Sequence, residues 1–272
     1  MTREAEKRRQ KVVIVGGGIT GSVLARELSS KLNQREHELL IDARPYAIWL
    51  IARARLVMEK GHHPGLEERA FVPHDKFGVH PESEKRPDKH DHSGFIVLED
   101  GEKALYDASI LATGSKCNGP ADFPDDPARC LAHLEHWRAA FEKANDVVLV
   151  GGGGVGIELA GELKDYYSDK KVVYIVHGRD LLLNEQFPDK FRKLVNQELE
   201  ATGVELVLGD YVATFPENSG GEVVFHPGNT LQADLVVPTY GPKPDTAWIS
   251  EALGPNLLSP GGCVRVWPTL HP

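Results

Sequence analysis

The sequence predicts an α/β chain in which a strand–turn–helix unit occurs twice, each on its own parallel sheet. Three observations carry this. Val147 to Val150 is a short β-branched run that ends in Gly151, Gly152, Gly153 and Gly154, and a helical pattern opens at once with Val155, Gly156, Ile157 and Glu158. Near the N-terminus, Val12 to Val15 leads in the same way into Gly16, Gly17, Gly18, Ile19, Thr20 and Gly21, with helical spacing from Ser22 to Leu28. Both stretches read GxGxxG, and both place it where that motif has meaning, after a strand and before a helix.

The spacing has a physical reason. In such a turn the first glycine allows the tight bend, the second lets a pyrophosphate approach the backbone, and the third lets the helix lie close to the strand. The free N–H groups of the helix start then face the phosphates, and the helix dipole favours their negative charge. One glycine-rich turn would be weak, because such turns are common punctuation. Two in one chain point to two bound dinucleotides, and the usual use of that pairing is to pass electrons from one to the other. The bland alternative is that one or both turns are empty relics.

The spacing after the first turn predicts a helix over about 19–31, with Val23, Leu24, Leu28 and Leu32 facing the sheet. Glu38 to Ile41 reads as the second strand and ends at Asp42, where a carboxylate can accept hydrogen bonds from ribose hydroxyls. An apolar stretch through Trp49, Leu50 and Ile51 then runs to Arg53 and Arg55; either arginine could pair with phosphate or simply be solvated. Residues 61–93 read as an irregular charged loop. It holds His62, His63, His74, His80, His90 and His92, whose scatter offers no metal-ligand spacing, so no metal is expected and a solvated loop is. Phe95 to Leu98 and Ala104 to Tyr106 flank a turn and read as a β-hairpin. Ser109 to Gly114 reads as a buried strand ending in small residues, Ala112, Thr113 and Gly114, which let a backbone approach a ligand. Pro120, Pro124 and Pro127 mark a linker, followed by a helix over about 128–144 with Leu131, Leu134, Trp137 and Phe141 on one face.

In the second unit the strand Lys171 to Val176 ends at His177, Gly178 and Arg179. No acid stands where Asp42 stands in the first. A carboxylate there would repel a 2′-phosphate, whereas His177 and Arg179 could accept one, which tilts this site toward NADPH. An amphipathic helix is predicted over 187–201, with Phe191, Leu194, Val195 and Leu199 on one face.

Bulk properties narrow the partners. The net charge of −9 argues against nucleic acid. Cys117, Cys130 and Cys263 form no CxxC, so no redox-active dithiol is available and a reducing compartment fits. No apolar run is long enough to span a membrane, and the first residues have no signal-peptide core. The expected location is cytoplasmic, with room for a peripheral contact with mitochondrial or other membranes.

The paired glycine motifs, the run Ala112-Thr113-Gly114-Ser115-Lys116 and the order of elements resemble the pyridine nucleotide–disulfide oxidoreductase family of two-dinucleotide flavoproteins. Asp42-Ala43-Arg44-Pro45-Tyr46 and the missing cysteine pair are similar to its apoptosis-inducing-factor-like branch, which includes ferroptosis-suppressor-type NAD(P)H:quinone oxidoreductases. The resemblance implies two Rossmann-like FAD/NAD(P)-binding domains of the three-layer ββα type. It places FAD on Gly16, Gly17, Gly18 and Gly21, with Asp42 on the adenosine ribose, Arg55 contacting FAD, and Ala112, Thr113 and Gly114 beside the flavin. It places NAD(P)H on Gly151, Gly152, Gly153, Gly154 and Gly156, with Glu158 near the nicotinamide; an ordinary acid near a helix start is the equal alternative for Glu158. It implies hydride passing from NAD(P)H to FAD and electrons onward to a quinone or other small acceptor, with no catalytic side chain beyond Glu158.

Two departures from the family stand out. The loop around residues 78–92 replaces a strand-rich segment, and the chain stops before a Gly-Asp segment and a C-terminal β-rich domain. The expected division is a FAD-binding part over 1–118, a NAD(P)H-binding domain over 119–245 and a truncated return over 246–272. The first domain should then be incomplete at its C-terminal return. A truncated non-catalytic remnant or NAD(P)H-binding module is the competing reading, and a ferredoxin or rubredoxin reductase is a third.

Overall fold

The structure is a computed structural model that describes residues 10–32, 36–58, 64–74, 87–91, 94–216, 220–225 and 228–267. The chain folds as two compact units, one formed by residues 1–49, 68–116 and 243–272 and the other by 50–67 and 117–242. Residues 50–67 therefore belong to the second unit, not to the first as the sequence division had it.

In the first unit, β1 (Gln10–Val15) leads into α1 (Ile19–Ser29), followed by β2 (Glu36–Ile41) and β3 (Ala108–Leu111). The three strands are parallel in the order β2–β1–β3, with Val13 opposite both Leu39 and Ser109. Successive side chains of a strand point to opposite faces, and here both faces are covered. Ile14 and Leu40 pack with Ala25 of α1 on one side. Val13, Val15 and Ile41 pack on the other against Ile96, Leu98 and Ala104 of an antiparallel sheet made by Pro87–Asp91, Phe95–Leu98 and Lys103–Leu105. The result is helix, parallel sheet and antiparallel sheet in three layers. The chain returns to this unit when Lys243–Pro244 pairs antiparallel with Ser115–Lys116, after which the helix Ala247–Leu253 packs on the strand Pro87–Asp91.

The region expected to be irregular is thus partly ordered. Leu66–Ala70 is helical, Phe71–Pro73 pairs with Tyr46–Ile48, and Pro87–Asp91 adds a third strand to the expected hairpin. Of its histidines, His62, His63, His80 and His92 lie outside the described residues.

The second unit repeats the layering. Its elements are α2 (Pro127–Lys143), β4 (Asp146–Val150), α3 (Gly154–Tyr167), β5 (Val172–His177), α4 (Asp189–Ala201), β6 (Val204–Leu208) and β7 (Leu235–Pro238). The four strands are parallel in the order β6–β5–β4–β7. Val148, Val176 and Val236 face Val223, Phe225 and Ala233 of a second antiparallel sheet. Leu149, Ile175, Leu159 and Leu163 are fully buried, and each such aliphatic side chain contributes roughly 1.5–3 kcal/mol by leaving water. The first helix starts at Pro127 with Asp126 capping it through Arg129 N, one residue before the predicted start. Leu134 and Phe141 are buried as expected, but Leu131 is exposed.

One helix keeps only part of the expected face inside: Leu199 of α4 is buried as expected and Val195 is half-buried, but Phe191 and Leu194 are exposed, and Arg192 and Asn196 are buried in their stead. The physical reason lies in the loop before it, described below. Among the described residues no helix is long and apolar enough to cross a membrane, and no group of three or more His, Cys, Asp or Glu could hold a metal ion.

Candidate functional site

The two glycine turns have the same construction, position by position. Gly16 and Gly151 both have φ in the left-handed region, +103° and +126°, which favours glycine. A Cβ on Gly16 would collide with Ala112 O; one on Gly151 would stand 2.6 Å from Tyr240 N. Gly21 and Gly156 leave no room for a Cβ against Gly16 O and Gly151 O, so the helix can sit directly on the turn only if these residues lack a side chain. Gly18 and Gly153 are different: among the described residues a Cβ there meets nothing within 4 Å. Each is the N-cap of its helix, neither helix start has a side-chain cap, and neither first turn contains an acid. Neither α1 nor α3 therefore has an N-cap side chain over its first N–H groups or an acid in its first turn, which suits an anion-binding helix start.

The middle position is also glycine in both turns and is packed from behind in both. At Gly17 a Cβ would meet His74 Cε1 at 2.5 Å and Asp42 Oδ2 at 2.6 Å; at Gly152 it would collide with Leu182 and stand 2.9 Å from the His177 ring. His74 was missed as a site residue by the sequence reading, which placed it in a solvated loop. It is buried, 1% exposed, and its Nε2 lies 3.1 Å from Asp42 Oδ2 and 3.0 Å from Arg44 O. The pairing of Phe71–Pro73 with Tyr46–Ile48 carries it there. Asp42 itself is buried, and its Oδ1 accepts from Ala43 N. The Asp42 side chain thus stands at the tip of β2 as expected, but it is already engaged by a histidine.

The end of the neighbouring strand closes each turn. Ala112 N donates to Val15 O, and Thr113 Oγ1 donates to Asp245 O while Asp245 N donates to Gly114 O. In the second unit Thr239 takes the corresponding place: its N donates to Val150 O and its Oγ1 to Gly151 O. Thr239 is buried and went unremarked in the sequence, although Leu235-Val236-Val237-Pro238-Thr239 ends a strand much as Ser109 to Thr113 does.

Three expected ligands are placed otherwise or are already occupied. Arg55 belongs to the second unit, where its Nε donates to Glu162 Oε1 at 2.6 Å; that hydrogen bond and the Glu162 charge raise its pKa. His177 accepts from Gly152 N through Nδ1 at 3.2 Å, and its Nε2 lies 3.3 Å from Leu183 O. Burial lowers its pKa below the ordinary 6.5, so at neutral pH it is uncharged. Arg179 is exposed and donates to Glu185, whose carboxyl is held low by its own backbone N–H and then by the guanidinium. Glu158 is exposed on α3 and lines a small recess with Arg53, Val57, Pro120 and Val155; Arg53 also donates to Cys117 Sγ at 3.2 Å.

Comparison with known proteins agrees with this construction. FAD-dependent oxidoreductase FVFD30 of Flammulina velutipes is 38% identical over 212 residues, covering 76% of this chain and 65% of that protein. Ferroptosis suppressor protein 1 of Taeniopygia guttata is 28% identical, over 92% of this chain and 68% of its own length. The chain thus spans about two thirds of the length of these relatives. The fold of water-forming NADH oxidase from Lactobacillus brevis, bound to NADH, superposes with a TM-score of 0.72 at 18% identity, covering 93% of this chain and 58% of the oxidase. The family model for pyridine nucleotide-disulphide oxidoreductases matches residues 65–265, and the chain belongs to that family.

Proposed function

We propose that the first unit binds FAD, that the second binds NAD(P)H, and that the whole is an FAD-dependent oxidoreductase that passes electrons from NAD(P)H to a quinone or similar small acceptor. The observation that carries this is the paired turn. Both units present an uncapped helix start beside a glycine whose missing side chain leaves open space, at Gly18 and at Gly153. A dinucleotide pyrophosphate fits both places by charge and by room. In the first unit Gly16, Gly17, Gly18 and Gly21 would form the cradle, and Asp42 with His74 would meet the adenosine ribose. His74 Nδ1 is a buried polar atom without a hydrogen-bond partner among the described residues, next to the carboxylate expected to bind those hydroxyls. In the second unit Gly151 to Gly154 and Gly156 would form the cradle, with Thr239 fixing the Gly151 carbonyl. When bound, the flavin supplies the electron transfer between coenzyme and acceptor, and the protein supplies position and exclusion of water.

The visible spectrum of the purified chain tests this. A flavin band, present on isolation or after reconstitution with FAD, should bleach on anaerobic addition of NADH or NADPH. A chain that takes up no FAD but still binds coenzyme would overturn the proposal in favour of a coenzyme-binding module. The observation on that side is that the Asp42 carboxylate is already hydrogen-bonded at both oxygens.

The choice between NADH and NADPH falls on Arg179. With Glu185 paired to it, the guanidinium is neutralised where a 2′-phosphate would lie. Glu185→Gln is expected to raise the affinity for NADPH relative to NADH by roughly 2–5-fold, the modest scale of an exposed ion pair. Arg179→Ala should lower that ratio. The two coenzymes titrated against each variant give it directly, and an unchanged ratio in both removes Arg179 from the site.

A further inference from the structure

Behind the second glycine turn three residues close a ring of hydrogen bonds. Gly152 N donates to His177 Nδ1, His177 Nε2 donates to Leu183 O, and Leu183 N donates to Gly152 O at 2.8 Å. Gly152 N can only donate and Leu183 O can only accept, so the ring fixes one imidazole tautomer: hydrogen on Nε2, lone pair on Nδ1. Leu183 sits in the left-handed region at φ +63°, a conformation that a leucine holds only when its surroundings impose it. The surroundings are α4. Arg192 Nε donates to Leu182 O and its Nη2 to Leu181 O, both at 2.9 Å, and Leu182 N donates to Asn196 Oδ1 at 3.2 Å. Leu182 is fully buried and packs on Gly152.

We propose that His177 is a positioning residue of the coenzyme site: as the neutral imidazole it pins Gly152, and so orients Gly153 and the start of α3 toward the pyrophosphate. It is not a cation offered to the coenzyme phosphates. This rests on the reading that the second unit binds NAD(P)H. Protonating Nδ1 would set N–H against N–H at Gly152 and release the turn. Burial opposes that cation, as do Arg179 and Arg192; the Leu183 carbonyl and Glu185 act in the other direction. Because the folded-state pKa lies below 6.5, the unfolded chain binds this proton more readily. The unit therefore keeps its full stability above about pH 6.5 and loses some as the pH falls below it.

The two roles predict opposite pH dependences. A positioning imidazole makes coenzyme binding weaker in acid, and a phosphate ligand makes it stronger. NADH is the probe, because the 2′-phosphate of NADPH would titrate in the same range. Its dissociation constant should rise as the pH falls from about 8 to 5.5, by less than about tenfold, because the lowered pKa leaves the imidazole only partly protonated there. His177→Asn places Oδ1 where Nδ1 accepts and carries no titrating proton. It should bind NADH within about threefold of the parent at pH 8, with a flat pH profile. Tighter binding of NADH in acid, together with weak binding by His177→Asn, would overturn the proposal and make His177 a phosphate contact. Parallel pH profiles for parent and His177→Asn would also overturn it. The ring can be read without coenzyme: in the ¹⁵N-labelled chain, Nδ1 of His177 should show the unprotonated shift at pH 7, and the Gly152 amide should move as His177 titrates. Those shifts without any NADH binding at pH 8 would put the failure on the coenzyme reading; a protonated Nδ1 at pH 7 would put it on the ring.

Discussion

Valine at Gly153 should weaken NADH binding roughly 10–100-fold, while the second unit nearly keeps its melting temperature and FAD content is unchanged; the factor corresponds to the few kcal/mol of forcing methyl groups into occupied space. Valine at Gly18 should do the reverse, lowering FAD content and leaving coenzyme affinity alone. The reasoning is steric. Among the described residues a Cβ at either position touches no protein atom within 4 Å, and both residues have extended backbone, φ −65° and ψ −173° at Gly18, φ −85° and ψ −176° at Gly153. Extended backbone is readily adopted by β-branched residues, so the fold resists the change only through the modest loss of a favoured N-cap glycine. The only thing displaced is what lies over the helix start. Gly156→Ala is the contrast, since its Cβ would collide with Gly151 O and must lower stability whether or not a ligand binds. Titration of NADH, FAD content after reconstitution and a thermal melt on the three variants separate the cases. If Gly153→Val binds NADH like the parent, the pyrophosphate does not lie at the start of α3.

What the sequence made legible was local. The strand–turn–helix order and the roles of Gly21 and Gly156, which lie against Gly16 O and Gly151 O, depend on atoms a few residues apart and are read from spacing alone; Gly16 and Gly151 are also marked by that spacing, although the atoms that crowd them belong to the distant Ala112 and Tyr240. The layers followed from β-branched runs buried on both faces, such as Val13-Ile14-Val15 and Val147-Val148-Leu149. The second row of side chains behind the turns was not legible, because long-range pairings place it. His74 reaches Gly17 only because Phe71–Pro73 pairs with Tyr46–Ile48, and nothing near His74 in sequence announces that. Arg55 stood at a position that the family resemblance gave to FAD, yet its hydrogen bond runs to Glu162, more than a hundred residues away. The strand end at Thr239 did carry a signal, its likeness to Ala112-Thr113, and that comparison within the chain would have found it.

The clearest failure of periodicity, helix α4, supplies the sharpest test of stability. Arg192→Leu is expected to destabilise the second unit by about 2–4 kcal/mol, because leucine fills much of the space but leaves the Leu181 and Leu182 carbonyls without a donor, each at roughly 1–3 kcal/mol. The contact from Nη1 to Asp189 adds little to that figure, since the aspartate side chain is 70% exposed. Arg192→Lys should fall between, as one ammonium cannot reproduce the planar fork that serves both carbonyls. Phe191→Ser, on the face that apolar spacing would have buried, should cost no more than about 0.5 kcal/mol, because Phe191 is 46% exposed. Thermal or denaturant melts of the three variants give the order directly. If Phe191→Ser proves the costlier change, α4 lies on its apolar stripe and the loop 181–183 is not held as described. If Arg192→Leu does, the helix is oriented by the hydrogen-bonding needs of a loop with a left-handed leucine, and the same loss should weaken NADH binding through Leu183, His177 and Gly152. A helix that buries its arginine and exposes its phenylalanine follows from elementary energetics once those needs are counted. An unpaired carbonyl in the interior costs about as much as an aromatic ring gains by leaving water, and here there are two of them.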